Sequence, residues 1–398
     1  MHLSYKILIG MVLGVVAGLV AGPGSAPLLK VWVTPVGTLF INLIKMIIVP
    51  VVLASLVVGA AALGDVKKLG RVGAKIMTFY LLTTAFAVSF GLFLGAIMQP
   101  GKGLVVPAGA KAAAKTAPPL SDVLINIVPT NAFQAMEKGD MLQVIVFALF
   151  IGVGITMVGE RAKPVEAFFD GLAEVTDKII DVIMSLAPIG VFALIMPVVA
   201  VNGPKVLLPL ATVIAAVYIG CILHMVVVYS GSVSLIGGMS PMRFFRGVFP
   251  AMLVAFSTCS SNATLPVNMK CAQENLGVKK DIASFCLPLG ATVNMDGTAL
   301  YQGVCALFVA QVYGIDLNMG QYVTIVLTGT LASIGTAGVP GAGLIMLTMV
   351  LQSVGLPLEG IALVAGIDRV LDMIRTTVNI TGDAAGCVVV QKSEAKYS

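Results

Sequence analysis

The sequence predicts an all-α polytopic membrane protein, and three observations carry that prediction. Mean hydropathy is +1.02. Apolar residues make up 58% of the chain and charged ones only 11%. Apolar runs of the roughly 20 residues that a spanning helix needs recur at 5–22, 33–63, 72–98, 141–158, 178–201, 206–236 and 281–314. More interrupted runs follow at 321–354 and 360–390. The short alternating segments of a membrane β-barrel are not seen.

The first run has Lys6 before it and "GSAP" after it, a pattern shared with signal peptides. Its apolar stretch is longer than a typical signal core, so it reads as an uncleaved first span. Within it, "GMVLGVVAG" is a small-residue ridge suited to close helix packing in lipid. Turn breaks "GPG" (22–24), "QPG" (99–101), "GERAKP" (159–164) and "NGP" (202–204) separate the helices of the first half. Residues 101–120, rich in Gly, Ala, Pro and Lys, read as a mobile loop.

The net charge of +5 does not point to nucleic acid, because the basic residues sit where membrane proteins place them. Lys67, Lys68, Arg71 and Lys75 follow the second run, Arg161 and Lys163 the fourth. Arg243 and Arg246 precede a Ser-rich segment, and Lys270, Lys279 and Lys280 follow it. The positive-inside rule makes these loops and both termini cytoplasmic, against a minority of Lys102, Lys111 and Lys115. The six cysteines lack CxxC spacing and read as small buried residues. With only His2 and His224, a His-based metal site or triad is excluded; His224 reads as a packed, hydrogen-bonded residue.

The second half breaks its own apolar pattern three times. "AFSTCSSNATLPV" (255–267) puts polar residues mid-run and then a proline, and "ASIGTAGVPGAGLIML" (332–347) does the same with glycines and a proline. A broken backbone at membrane depth is tolerated only when buried in protein or lining a wet cavity. Two such segments read as re-entrant hairpins whose half-helices aim at a ligand. Between them, "LPLGATVNMDGTALYQG" (287–303) carries Asn294, Asp296 and Thr298. An Asp at a helix centre costs about 3 kcal/mol on insertion scales and calls for a partner or a cation. The flanking Gly290 and Gly297 permit unwinding, and a carboxylate, an amide and freed carbonyls form a hard oxygen site that suits Na⁺.

The last run holds "LDMIRTTVNITGD" (371–383). At about 100° per residue, Asp368, Asp372, Arg375, Asn379 and Asp383 fall within about 80° of one another. Three aspartates against one arginine leave negative charge that invites cations. The arginine suits bidentate grip of a carboxylate, and the aspartate one turn away suits an ammonium. Together they describe an acidic amino acid. A purely structural alternative is an intrahelical Asp372–Arg375 ion pair with Asp368 within reach.

These motifs resemble the dicarboxylate/amino acid:cation symporter family, which includes excitatory amino acid transporters and archaeal aspartate transporters. "SSNATLPV", "NMDGT", "GTAGVPGAG" and "DMIRTTVNITGD" carry the likeness, which spans nearly the whole chain. The resemblance implies eight transmembrane helices plus two re-entrant hairpins, inverted repeats, a homotrimer, and an elevator-type mechanism in the cell inner (plasma) membrane. Implied boundaries are scaffold helices 1–2 at 1–71, transport helix 3 at 72–100, and a loop with scaffold helices 4–5 at 101–204. Transport helix 6 follows at 205–240, hairpin 1 at 241–278, helix 7 at 279–316, hairpin 2 at 317–357, and helix 8 with the tail at 358–398.

Carried over by position, Arg375 would hold the substrate's side-chain carboxylate and Asp372 its amino group. Asn379, Thr376, Thr298, Ser260 and Ser261 would complete the shell, with Val339 and Gly343 closing over it. Several Na⁺ would accompany each substrate. One would use Asp383, Asn379 and carbonyls of Gly290 and Asn294, and a second the carbonyls of Thr292, Ser333, Ile334 and Thr336. A third would use Asp296 and Asn294 with Tyr80, Thr83 and Thr84. The chain departs from the pattern at Cys259 and Met373, where archaeal and animal relatives respectively carry Arg, and Arg369 is a candidate substitute. Gln302 stands where animal relatives carry a proton-bearing Glu.

The expected function is a secondary-active, Na⁺-coupled aspartate/glutamate symporter. A proton-coupled dicarboxylate or neutral amino acid carrier is the alternative, although an unpaired buried Arg375 argues against neutral substrates. No pore-type charged rings, nucleophile with a supporting base or Walker A motif supports a channel, an enzyme or an ATP-driven pump.

Overall fold

A computed structural model describes residues 3–61, 66–104, 128–138, 141–334 and 341–394. Every regular element among them is helical. Most of the loop at 101–120 and the tip of the second hairpin (335–340) lie outside the described residues.

The helices are α1 (Leu3–Ala21), α2 (Ala26–Trp32), α3 (Thr34–Ala61), α4 (Val66–Met98), α5 (Ala132–Lys138), α6 (Met141–Val158), α7 (Lys163–Ser185), α8 (Ala187–Asn202) and α9 (Leu207–His224). There follow α10 (Pro241–Thr258), α11 (Ser261–Lys270), α12 (Lys280–Val293), α13 (Asp296–Val312), α14 (Met319–Ser333), α15 (Ala342–Ser353), α16 (Ile361–Ala365) and α17 (Asp368–Glu394). Among the described residues, Arg71–Met98 and Leu207–Ile236 are continuous helices that meet the length and apolarity of a span. Helix α3 is also continuous over 28 residues, whereas other apolar runs are divided. Gly22, at φ +64, and Pro23 turn the chain so that Ile9–Ala21 and Pro23–Trp32 meet at 96°. The run at 178–201 is likewise two elements, the end of α7 and all of α8. Pro188 sits in the first turn of α8, where a missing N–H leaves no hydrogen bond unmade.

Packing falls into two groups. In one, α1 lies along α8, and α3 packs on α6, α7 and α8. The small-residue ridge of α1 performs the role its sequence indicates. A Cβ on Gly14 would come within 3.1 Å of the Phe192 carbonyl oxygen, and Gly18 lies against Met196 in the same way. In the other group, α4 lies along α13 and α14, while α17 is surrounded by α4, α9, α10, α11, α12 and α13. From residue 374 to 390 helix α17 is buried on all sides, its apolar residues Val378 and Ile380 as well as its polar ones.

The first hairpin breaks at a different place from the one its proline indicates. Helix α10 ends at Thr258, Cys259 takes the left-handed conformation (φ 55°, ψ 35°) and Ser260 is extended. Pro266 lies inside α11. Ser260 starts α11 by accepting from the Ala263 amide at 3.1 Å, the N-cap contact that serine favours. At the base of the second hairpin Asn318 and Gln321 form a reciprocal capping box.

Candidate functional site

Between α12 and α13 only Asn294 and Met295 leave the helix, with φ −95°, ψ 93° and φ −117°, ψ 47°. Gly290 and Gly297 are therefore not the unwound residues; both are helical. Their use is close approach. A Cβ on Gly290 would meet Asp383 Oδ1 and the Tyr80 hydroxyl at 2.5 and 2.6 Å, and one on Gly297 would collide with the Arg375 backbone. The break frees the Gly297 amide and turns the Asn294 side chain to α17, and α17 partners both. Asn379 Oδ1 accepts from the Gly297 amide at 2.8 Å, and Asn294 Nδ2 donates to the Asn379 carbonyl at 3.0 Å.

Arg375 is fully buried and stands between two aspartates of its own helix. Its Nη1 donates to Asp368 Oδ1 at 2.8 Å. Its Nη2 lies 3.0 Å from Asp372 Oδ1 but without the alignment of a hydrogen bond, and Nε makes none. The guanidinium stacks on the Tyr301 ring, 4.0 Å from its centroid, a favourable contact for a desolvated cation. Gly343 of α15 faces it closely enough that a Cβ would lie 2.8 Å from Nη2. Asp372 also accepts from the Gly341 amide at 3.2 Å, and Thr376 Oγ1 is 3.5 Å from its Oδ1. The first hairpin is tied to α17 by Asn268 Nδ2 on the Ile380 carbonyl (2.9 Å) and by Arg369 Nη2 on the Ser257 carbonyl (3.3 Å).

Two further carboxylates are buried without a cationic guanidinium or ammonium beside them. Asp383 Oδ1 accepts from Asn294 Nδ2 at 3.0 Å, next to Gly290 and Tyr80. Asp296 Oδ1 accepts from Thr84 at 2.6 Å, and its Oδ2 from Tyr229 at 2.8 Å, with His224 Nε2 at 3.2 Å. Asn294 Oδ1 is buried with no hydrogen-bond partner. Carboxylate, amide and hydroxyl oxygens in this setting are hard donors that fit a cation such as Na⁺.

The structure thus gathers Arg375, Asp372, Thr376 and Gly343 in one cluster, and joins Asn379 to Thr298 at 3.3 Å. It gathers Asp383, Asn294, Gly290 and Tyr80 in a second cluster, and Asp296 with Thr84 in a third. Tyr80 donates to the Cys286 carbonyl at 3.1 Å. Thr83, Thr292 and Ser333 bond to carbonyls of their own helices; Ile334 caps the end of α14. Ser261 is buried at the first hairpin tip. Val339 and Thr336 lie outside the described residues. All six cysteines are free and buried.

A family model for the sodium:dicarboxylate symporter family matches residues 3–393. The chain belongs to this family. It is therefore an integral membrane transporter and not an enzyme. The chain is 38% identical to a proton/sodium-glutamate symport protein of Bacillus subtilis (strain 168), with 100% of this chain and 94% of that protein covered. It is also 38% identical to a proton/glutamate-aspartate symporter of Escherichia coli (strain K12), covering 92% and 86%. A C4-dicarboxylate transport protein of B. subtilis is 36% identical, covering 91% and 88%.

In this symporter His224 is packed and hydrogen-bonded as its sequence indicates, but the sequence concealed its partner Asp296, and also Tyr301 under Arg375, Met295 Sδ 3.1 Å from Asn379 Nδ2, and Tyr229 on Asp296. Aromatic and thioether side chains on apolar helices read as packing, and nothing in their spacing signals a partner on another helix.

Proposed function

We propose that this symporter is secondary-active and Na⁺-coupled, and that it carries L-aspartate or L-glutamate. The observation that supports this most directly is the buried Arg375 beside Asp372. A substrate carboxylate can take the guanidinium's uncommitted donors, and Asp372 can receive the substrate's ammonium. Asn379, Thr298, Thr376, Ser260, Ser261, Val339 and Gly343 complete the substrate shell. The Asp383 and Asp296 clusters hold the coupling cations with Asn294, Tyr80 and the backbone carbonyls of 290, 292, 333, 334 and 336.

The two packing groups support an elevator reading. The group built on α1, α3, α6, α7 and α8 serves as scaffold in a homotrimer of the cell membrane, with both termini cytoplasmic. The group around α17, with both hairpins, moves as the carrier. Eight spans and two re-entrant hairpins make up this arrangement.

A second reading, a proton-coupled dicarboxylate carrier, is favoured by the C4-dicarboxylate and proton-coupled relatives. Asp372 weighs against it, because a dicarboxylate brings no ammonium to that carboxylate. Labelled aspartate uptake into proteoliposomes, with an excess of unlabelled succinate or glutamate as competitor, separates the readings. The expected result is uptake driven by an inward Na⁺ gradient, blocked by glutamate and not by succinate. Uptake driven by a pH gradient alone, or blocked equally by succinate, would reject the proposal.

A further inference from the structure

Helix α9 ends at His224, and the chain continues in two π-helical stretches, Met225–Tyr229 and Ser232–Ile236. π-helical turns inside longer helices are rare and concentrate at functional sites. Here the first has a definable consequence. In an α-helix a residue five positions on points about 140° away. The wider i→i+5 turn instead brings Tyr229 back beneath His224. Their rings meet edge to face at 4.9 Å, and both polar atoms reach the same oxygen, Asp296 Oδ2. A carboxylate only accepts, so the contact places a proton on His224 Nε2. Nδ1 on the other side of the ring is buried without a partner.

Asp296 is thereby held at both ends of its carboxylate. Two donors occupy Oδ2, and among the described residues Thr84 alone occupies Oδ1, which leaves Oδ1 lone-pair capacity and a fixed direction. The Tyr229 hydroxyl also lies 3.2 Å from the Val378 carbonyl on α17, beside Gly382, where a Cβ would collide with it. The brace therefore spans α9, α13 and α17.

We infer that His224 and Tyr229 are positioning residues for the coupling cation. They turn Asp296 so that Oδ1 faces the cation, without touching the cation or the amino acid themselves. This rests on the Na⁺-coupled reading above. Outer-shell partners of a metal ligand change metal affinity by about 10- to 100-fold when removed, so the effect belongs on Na⁺ affinity and not on substrate affinity.

The test is the Na⁺ dependence of aspartate uptake in proteoliposomes, for wild type and for His224→Leu, His224→Asn and His224→Gln. Each variant is first checked for a wild-type size-exclusion profile. Glutamine places an amide donor where Nε2 sits, whereas asparagine reaches only as far as Nδ1. Leucine and asparagine should raise the Na⁺ half-saturation concentration by about 10- to 100-fold, with aspartate half-saturation at saturating Na⁺ unchanged. Glutamine should restore most of the loss, and Tyr229→Phe should act in the same direction as leucine. A wild type with no Na⁺ dependence would overturn the sodium reading and this inference with it. A Na⁺-dependent wild type whose variants titrate normally, or whose glutamine and leucine variants behave alike, would overturn the inference alone. Should any variant fail to fold, ²²Na⁺ binding to purified Tyr229→Phe decides the matter: unaltered binding rejects the brace.

Discussion

The two halves of the last helix's charged stripe solve the problem of buried charge in different ways. At its N-terminal end, Asp368 and Asp372 flank a guanidinium that also stacks on Tyr301. Further along, Asp383 and the neighbouring Asp296 have no guanidinium or ammonium beside them and are held by an amide, two hydroxyls and an imidazole. Fixed positive charge suits an anionic or zwitterionic organic ligand, which exchanges one carboxylate partner for another. Carboxylates with spare lone pairs and no guanidinium or ammonium beside them suit a small cation. On the proposed reading, the difference in charge between the regions separates the two ligand classes.

The strongest way to break that comparison is at Arg375. Truncating one member of a buried, hydrogen-bonded charge pair costs about 2–5 kcal/mol. Arg375→Cys should therefore weaken aspartate binding by at least tenfold in calorimetry, while neutral amino acids gain affinity. Unchanged aspartate affinity would remove Arg375 from the substrate site. Next is Asp383→Asn, which keeps the shape and removes the charge. A hydrogen bond to a charged group contributes about 1.5–3 kcal/mol, so the Na⁺ half-saturation for uptake should rise about tenfold or more. Smaller and more selective is Asp372→Asn. Aspartate affinity should fall by less than in Arg375→Cys while succinate binding holds or improves; a parallel loss of both would contradict a role in gripping the ammonium.

The broad architecture and the charged stripe were legible because they violate an apolar background. Asp368 through Asp383 recur at helical spacing, and Asn294–Asp296 interrupt a run that would otherwise be one helix. The point where the first hairpin breaks was not legible from its residues alone, although the family resemblance put the tip at Ser260 and Ser261, next to where it falls. Pro266 is the conspicuous breaker, yet it is accommodated inside α11, and the turn falls on Cys259 with no sequence signal for a left-handed conformation. Partners contributed by other helices were hidden for a related reason. His224 and Tyr229 are five residues apart, a spacing that no α-helical period aligns, and only the π-helical stretch brings them together. Arg369 was a candidate substitute for the arginines absent at Cys259 and Met373, and its guanidinium does reach the first hairpin, at the Ser257 carbonyl.

The mildest expectation lies outside both regions and serves as their control. At the end of α17, Glu394 pairs with Arg71 at 2.6 Å and Lys75 at 2.7 Å. Hydrogen bonds from these two cations lower its carboxyl from 4.5 to about 2. A carboxyl whose value is depressed by folding stabilises the folded state above its unfolded value, and that contribution is lost as pH falls through the folded value. Glu394→Gln should therefore slightly lower Tm at pH 7 and leave it unchanged near pH 2. Ion pairs in contact with water contribute about 0–1 kcal/mol, so the shift is small, and aspartate and Na⁺ affinities should be unaffected.

On the proposed reading, one region takes the amino acid and the other the cation. Equilibrium binding of ²²Na⁺ to purified wild type, Arg375→Cys and Asp383→Asn, without any amino acid present, tests it most directly. The account predicts that Arg375→Cys binds Na⁺ as wild type does while Asp383→Asn loses affinity. Equal loss in both variants, or loss in Arg375→Cys alone, would contradict it.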